Sequence, residues 1–143
     1  MTDITPKLRD LFGDRLKLGE PMARHSNFRI GGPVRWFVEA KTEGEIAAAI
    51  RLGRETGVPV FVLGGGSNVL VSEAGVRGIV VRPRLTGVSL PAPDRARAEA
   101  GLTINGLVRW LIGRGLAGLE AWAGTPGTVG GAIHGNAHYG GHN

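Results

Sequence analysis

Leu63-Gly64-Gly65-Gly66-Ser67-Asn68 sets three consecutive residues without side chains between aliphatic runs, then adds a hydroxyl and an amide. Backbone free of side chains lets main-chain N–H groups converge on an anion, most often a phosphate. Neither common phosphate signature is present. No lysine followed by serine or threonine comes after the last glycine, and Val69 stands where a dinucleotide fingerprint needs its third glycine. Two readings remain: a sharp strand-to-strand turn exploiting cheap positive φ, or a backbone nest for a pyrophosphate. A second cluster, Gly124-Thr125-Pro126-Gly127-Thr128-Val129-Gly130-Gly131-Ala132, reads as a tight turn opening a helix. Free N–H groups at that helix start would face an anion or an electron-rich ring. Two such loops predict a long ligand clamped in a cleft between two lobes.

The other reactive side chains give weaker signals. Cysteine is absent, which excludes disulfides, thiolate metal sites and cysteine nucleophiles. His134, His138 and His142 are spaced by four, the spacing of one helical face, but Gly135, Gly140 and Gly141 interrupt any helix there. They read as loop residues, with no metal expected. His25 reads as a surface or loop residue. Trp36, Trp110 and Trp122 sit inside apolar patterns and read as core or lobe-interface packing, Trp122 with the alternative of approaching a bound ring.

Elements to position these loops follow from local patterns. Thr5-Pro6 predicts an N-cap and first helical position for a helix to about Phe12. Coil is expected from Pro21 through Asn27. Residues 34–39 alternate as a strand covered on both faces, with Val34, Trp36 and Val38 on one of them. Thr42 and Glu45 form a capping box for a helix carrying Ile46, Ala49, Ile50 and Gly53 and ending near Gly57. Pro59 to Leu63 predicts a short buried strand before the glycine loop, and Gly78 to Arg82 another strand. Beyond Pro83, strands are expected before Pro93 and over Arg95 to Ala100. Thr103 then caps a helix bearing Leu107, Val108, Leu111 and Ile112, which Gly113 or Gly115 ends. This is an α/β (α+β) pattern in two lobes, residues 1–83 and 84–143, the second short of sheet partners.

Composition bounds the function classes. The 143 residues are 42% hydrophobic and 20% charged, enough for a real core in a soluble chain. The net charge of +5 comes from arginines spread along the sequence rather than gathered on one face, which argues against nucleic acid. No apolar run approaches the ~20 residues of a membrane span, and no signal-peptide core opens the chain. A cytoplasmic protein without membrane contact is expected.

Three segments, "HSNFRIGGPVRWFVEAKT", "VPVFVLGGGSNVLVSEAGVRGIVV" and "GLEAWAGTPGTVGGAIHGNAHYGG", together resemble the UDP-N-acetylenolpyruvoylglucosamine reductases. That family belongs to the wider group of FAD-binding domains shared with vanillyl-alcohol-oxidase-like flavoproteins, and the resemblance runs from His25 onward. It implies a two-lobed FAD-binding domain in which Leu63 to Asn68 hold the pyrophosphate. Gly124, Thr125, Pro126, Gly127, Thr128, Gly130, Gly131 and Ala132 would line the second side of the flavin, with Asn136 and Tyr139 near its ring end. Relatives that attach FAD covalently often carry a histidine in the first loop. Ser67 and Asn68 stand there instead, so non-covalent FAD is expected, with NADPH as reductant and a UDP-sugar as substrate in peptidoglycan synthesis. Residues 136–141 are one residue shorter than in many relatives. The family's acid-base residues lie downstream of Asn143, so the resemblance implies a truncated second lobe, no substrate-binding domain, no catalytic residue in this chain and no turnover by it alone. Lending of strands between copies would complete the sheet, so an oligomer of the fragment is expected as a possible state. An FAD module of another flavin oxidase of the wider group and a non-catalytic fragment are the alternatives.

Overall fold

The computed structural model describes residues 3–138, so Tyr139 and His142 lie outside the described residues. The chain divides into two compact units, Met1–Arg84 and Leu85–Asn143. The architecture is mixed α/β, as the alternation of patterns predicted.

In the first unit a four-stranded sheet runs in the order β1-β2-β4-β3. β1 (Leu16–Pro21) pairs antiparallel with β2 (Pro33–Ala40), while β4 (Val76–Pro83) lies parallel to both β2 and β3 (Val60–Val62). Helix α1 (Thr5–Phe12) precedes the sheet, and α2 (Glu43–Thr56) connects β2 to β3. One buried cluster joins Leu8 and Phe12 of α1 and Ala49 and Leu52 of α2 to Trp36, Val38, Ile79 and Val81 of the sheet. A second joins Val34, Phe37 and Val80 to Met22 and Leu63, with Val69 and Val71 packed against them. Thus Val34 packs with Phe37 rather than with Trp36 and Val38, contrary to simple alternation.

Local chemistry explains the helix ends. Thr42 Oγ1 accepts from the Glu45 N–H at 3.1 Å, and Gly57 closes α2 at φ +67°. Thr5 is not the cap of α1 but its first residue. The Asp3 carboxylate accepts from both its N–H and its hydroxyl, and Thr5 Oγ1 accepts from Trp36 Nε1 at 2.9 Å. Serving the buried indole is what takes that hydroxyl away from capping.

Three further expectations are corrected. Met22–His25 is a 3-10 turn rather than coil. β3 is not a buried strand. It lies at the sheet edge, with Phe61 51% and Val62 60% exposed. His25 is not a surface residue, since its side chain is only 9% exposed.

In the second unit β5 (Val88–Ala92) and β6 (Arg95–Ala98) form a two-stranded antiparallel sheet, followed by α3 (Ile104–Ile112) and α4 (Val129–His134). Thr103 Oγ1 caps α3 by accepting from the Gly106 N–H at 3.0 Å. Beyond Gly113, Gly115 at φ +70° lets the Leu116 N–H return to the Leu111 carbonyl. Trp110 is half-buried beneath the Arg114 guanidinium, 3.6 Å from its ring centre, whereas Trp36 is a core residue. Both large buried clusters consist of residues from the first unit.

One ion pair ties α2 to the chain ahead of β1. Arg15 Nη1 and Nη2 reach the two Glu45 carboxylate oxygens at 2.6 and 2.7 Å, and the Lys41 N–H adds a third donor. These contacts, led by the Arg15 hydrogen bond, hold the Glu45 carboxyl at about 2. The folded-state value is depressed, so the stabilisation is fully present above the unfolded carboxyl's range and is lost as pH falls toward about 2. With side chains 26% and 22% exposed, solvent screening reduces its worth to about 1 kcal/mol. Glu45→Gln is expected to lower the unfolding free energy by about that amount in urea at neutral pH. Acid titration should show wild type and variant converging as the carboxyl protonates.

Candidate functional site

The glycine loop leaves the carboxyl end of β3 and returns as β4, its parallel neighbour. A hairpin is thereby excluded, because two-residue turns join only antiparallel strands. Of the two readings of the glycines, the simple turn falls. The Leu63 N–H continues the sheet by donating to the Val81 carbonyl at 2.9 Å, and its side chain is buried. After Leu63 the donors change character. Among the described residues, no acceptor takes the N–H groups of Gly64, Gly65, Gly66, Ser67 or Asn68, and the Ser67 and Asn68 side chains have no hydrogen-bond partner. Five consecutive donors without an internal acceptor thus stand at the end of a parallel strand, the place where α/β folds bind anions.

The loop is held from outside rather than by internal bonds. Gly66 O accepts from the Asn27 N–H at 2.9 Å, and the Ser26 hydroxyl donates to Val69 O at 3.4 Å. Gly66 adopts φ +72°, and a Cβ there would overlap the His25 carbonyl. Further on, the Gly32 N–H donates to Ser72 O at 2.9 Å and the Gly31 N–H to Glu73 Oε1 at 3.2 Å. A Cβ on Gly32 would overlap Glu73 O, and one on Gly75 would overlap Pro33 O. The Gly31-Gly32-Pro33 segment is therefore glycine-rich because its backbone lies directly on the loop's return.

His25 anchors this support to the sheet. Its ring stacks on Phe37 with centroids 4.3 Å apart. Nε2 lies 2.9 Å from Glu20 Oε1, and Nδ1 lies 2.9 Å from Arg82 Nη1. Arginine only donates, so Nδ1 is the acceptor and Nε2 carries the proton toward Glu20. Burial, followed by repulsion from Arg84, lowers the Arg82 guanidinium from the ordinary arginine range. Glu20, His25 and Arg82 were missing from the sequence-based site. A buried polar triad assembled from β1, a 3-10 turn and β4 has no local signature.

The second glycine cluster is built differently. Thr128 caps α4, its Oγ1 accepting from the Gly131 N–H at 3.2 Å. The Val129 N–H donates to Leu102 O at 2.8 Å, the Gly130 N–H to Ala100 O at 2.9 Å and the Ala132 N–H to Thr128 O at 2.9 Å. The expectation of free N–H groups at this helix start is thus corrected, because the β6–α3 connection supplies their acceptors. A Cβ on Gly130 would come within 2.8 Å of Ala100 Cβ, which explains glycine there by packing alone. Ahead of the helix, the Gly124 N–H donates to Asn105 Oδ1 and the Thr125 N–H to Trp122 O, each at 3.0 Å. Only Gly127 and Thr128 keep N–H groups without an acceptor among the described residues.

Within the same unit Trp122, Val129, Ala132, Ile133 and Asn136 line an apolar cavity of about 450 Å³. Asn136 takes φ +47°, rare for a residue with a side chain. His134 ends α4 and His138 lies beyond it, its Nδ1 3.3 Å from the Asn136 carbonyl, so the two share no helical face.

A loop with uncommitted N–H groups at the carboxyl end of a parallel strand is the arrangement that nucleotide- and cofactor-binding α/β domains use. Comparison narrows this: residues 34–143 match the FAD binding domain family, and the chain belongs to it. It is similar to the UDP-N-acetylenolpyruvoylglucosamine reductase of Syntrophotalea carbinolica, at 39% identity over 94% of this chain and 45% of the relative. The reductase of the same name from Geobacter metallireducens is 44% identical over 90% of this chain and 43% of its own. A crystal structure of UDP-N-acetylenolpyruvylglucosamine reductase from Thermus caldophilus superposes with a TM-score of 0.70 at 31% identity, covering 87% of this chain and 44% of that one. The chain spans under half the length of each.

Gly66 and Gly57 offer a controlled comparison. Both take positive φ, +72° and +67°, but a Cβ on Gly57 would meet nothing within 4 Å. Gly57→Ala should cost about 1 kcal/mol, the strain of φ alone, and Gly66→Ala at least about 2 kcal/mol because the His25 carbonyl must also move. Urea unfolding of the two variants measures the difference.

Proposed function

We propose that this chain is the FAD-binding portion of a reductase that converts UDP-N-acetylglucosamine enolpyruvate to UDP-N-acetylmuramate, with NADPH as electron donor, in the cytoplasm. The observation that carries the reading is the run of uncommitted N–H groups from Gly64 to Asn68. Family membership supplies the cofactor's identity, and the relatives' shared name supplies the reaction. When bound, FAD provides the hydride chemistry that the protein's own side chains lack.

The residues present fit such a cofactor. A pyrophosphate brings negative charge and many acceptor oxygens, and the first loop offers five main-chain donors plus the Ser67 hydroxyl and Asn68 amide. Absence of side chains at Gly64 to Gly66 lets backbone and phosphate approach closely. In the second unit, Gly127 and Thr128 offer the remaining donors, and the apolar cavity beside Trp122 and Asn136 gives a ring an environment that excludes water. Gly124 to Ala132 and Asn136 are assigned to the flavin side on this basis and on the resemblance, and Tyr139 on the resemblance alone. No side chain of the first loop can form a flavin linkage of the histidyl kind, so the cofactor is held non-covalently.

The test is direct. Purified chain reconstituted with FAD should show flavin absorbance, and acid precipitation should leave the colour in the supernatant. Gly65→Val should weaken FAD binding by roughly a hundredfold or more while the chain stays folded, because its side chain occupies the space of the phosphate. A folded Gly65→Val variant that binds FAD like wild type, or yellow colour in the acid pellet, contradicts the reading.

A further inference from the structure

We propose that Glu20, His25 and Arg82 form a positioning relay for the cofactor loop, with the His25 proton on Nε2. This rests on the reading that the loop holds the FAD pyrophosphate, and it adds to that reading the side chains that keep the loop in its binding shape.

The geometry gives one continuous path. Glu20 is fixed on β1, Arg82 on β4 and Phe37 on β2, and the imidazole touches all three, at 2.9 Å, 2.9 Å and 4.3 Å between ring centres. Its carbonyl is the atom against which Gly66 packs, and the next two residues bond to the loop at Gly66 and Val69. Fixing the imidazole therefore fixes the backbone turn that presents Gly64 to Asn68. The loop's own donors remain free because this turn, rather than the loop itself, supplies the rigidity.

Each ring nitrogen has one partner: Nε2 donates to Glu20, and Nδ1 accepts from Arg82. Glu20 is itself held by Lys17 at 4.0 Å and Arg24 at 3.9 Å, so the anchor at that end does not depend on the imidazole alone. The relay touches no reacting atom. It acts only through the loop.

The experiment has arms that separate the relay from the cofactor reading. In the wild-type chain, nitrogen NMR at about pH 8 should find His25 Nδ1 unprotonated. His25→Phe keeps the stacking surface but neither nitrogen. It should bind FAD, followed by flavin fluorescence, roughly tenfold more weakly, the worth of one charge-assisted hydrogen bond, and expose the Asn27 amide to faster hydrogen exchange even without FAD. Arg82→Met should reproduce that loss, and the double variant should add little to either single change. A proton on Nδ1, unchanged Asn27 exchange in folded His25→Phe, or FAD affinity equal to wild type in that variant overturns the relay. Failure of wild type to bind FAD, alongside faster Asn27 exchange in the variant, would uphold the relay and contradict the cofactor reading instead.

Discussion

Parallel pairing of β3 with β4 is the constraint on which the rest depends. Neighbouring parallel strands cannot be joined by a tight turn, and the usual solution inserts a helix. Here residues 63–75 make the return with no helix. A connection of that length has many backbone donors and acceptors to satisfy, and no regular element to satisfy them. Its middle and far end are therefore stapled to residues 26–27 and 31–32, and among the described residues no acceptor takes the N–H groups of residues 64–68. The nest is a consequence of topology combined with glycine, not of glycine alone.

The two glycine-rich segments look alike as strings but do opposite things with their donors. At Val129 to Ala132 every N–H finds an internal acceptor, two of them from the segment that leads into α3. Those glycines serve close packing on Ala100 and the cap made by Thr128. Around Gly64 to Asn68 the same residue type leaves donors unmatched. Uncommitted polar backbone is costly when buried from water and tolerable when a ligand supplies the acceptors. This asymmetry separates the two segments: residues 64–68 keep a run of donors without an acceptor among the described residues, whereas the second cluster keeps two, at Gly127 and Thr128.

Legibility in the sequence followed the range of the interaction. The Thr42 and Thr103 caps, the Gly57 stop and the glycine clusters depend on residues within a few positions, and each could be read directly. β1 could not, because Leu16 to Pro21 has weak alternation and becomes a strand only through pairing with β2. Pro59 to Leu63 looked buried because apolar residues are normally covered, yet β3 occupies an edge and leaves Phe61 and Val62 open. His25 was misjudged for a related reason. Its partners lie on separate strands, and only the folded sheet brings Glu20 and Arg82 to the two ring nitrogens. Thr128 was read as a cofactor contact, and in the fold its hydroxyl caps α4 by accepting from the Gly131 N–H.

The most direct measurement is an amide NMR titration of the chain with FAD. Resonances of Gly64, Gly65, Gly66, Ser67 and Asn68 should move strongly and saturably as their N–H groups acquire phosphate acceptors, with those of Val129, Gly130 and Gly131 moving much less because they are already bonded within the protein. Saturable binding that leaves residues 64–68 unshifted while residues 129–131 respond would contradict the account.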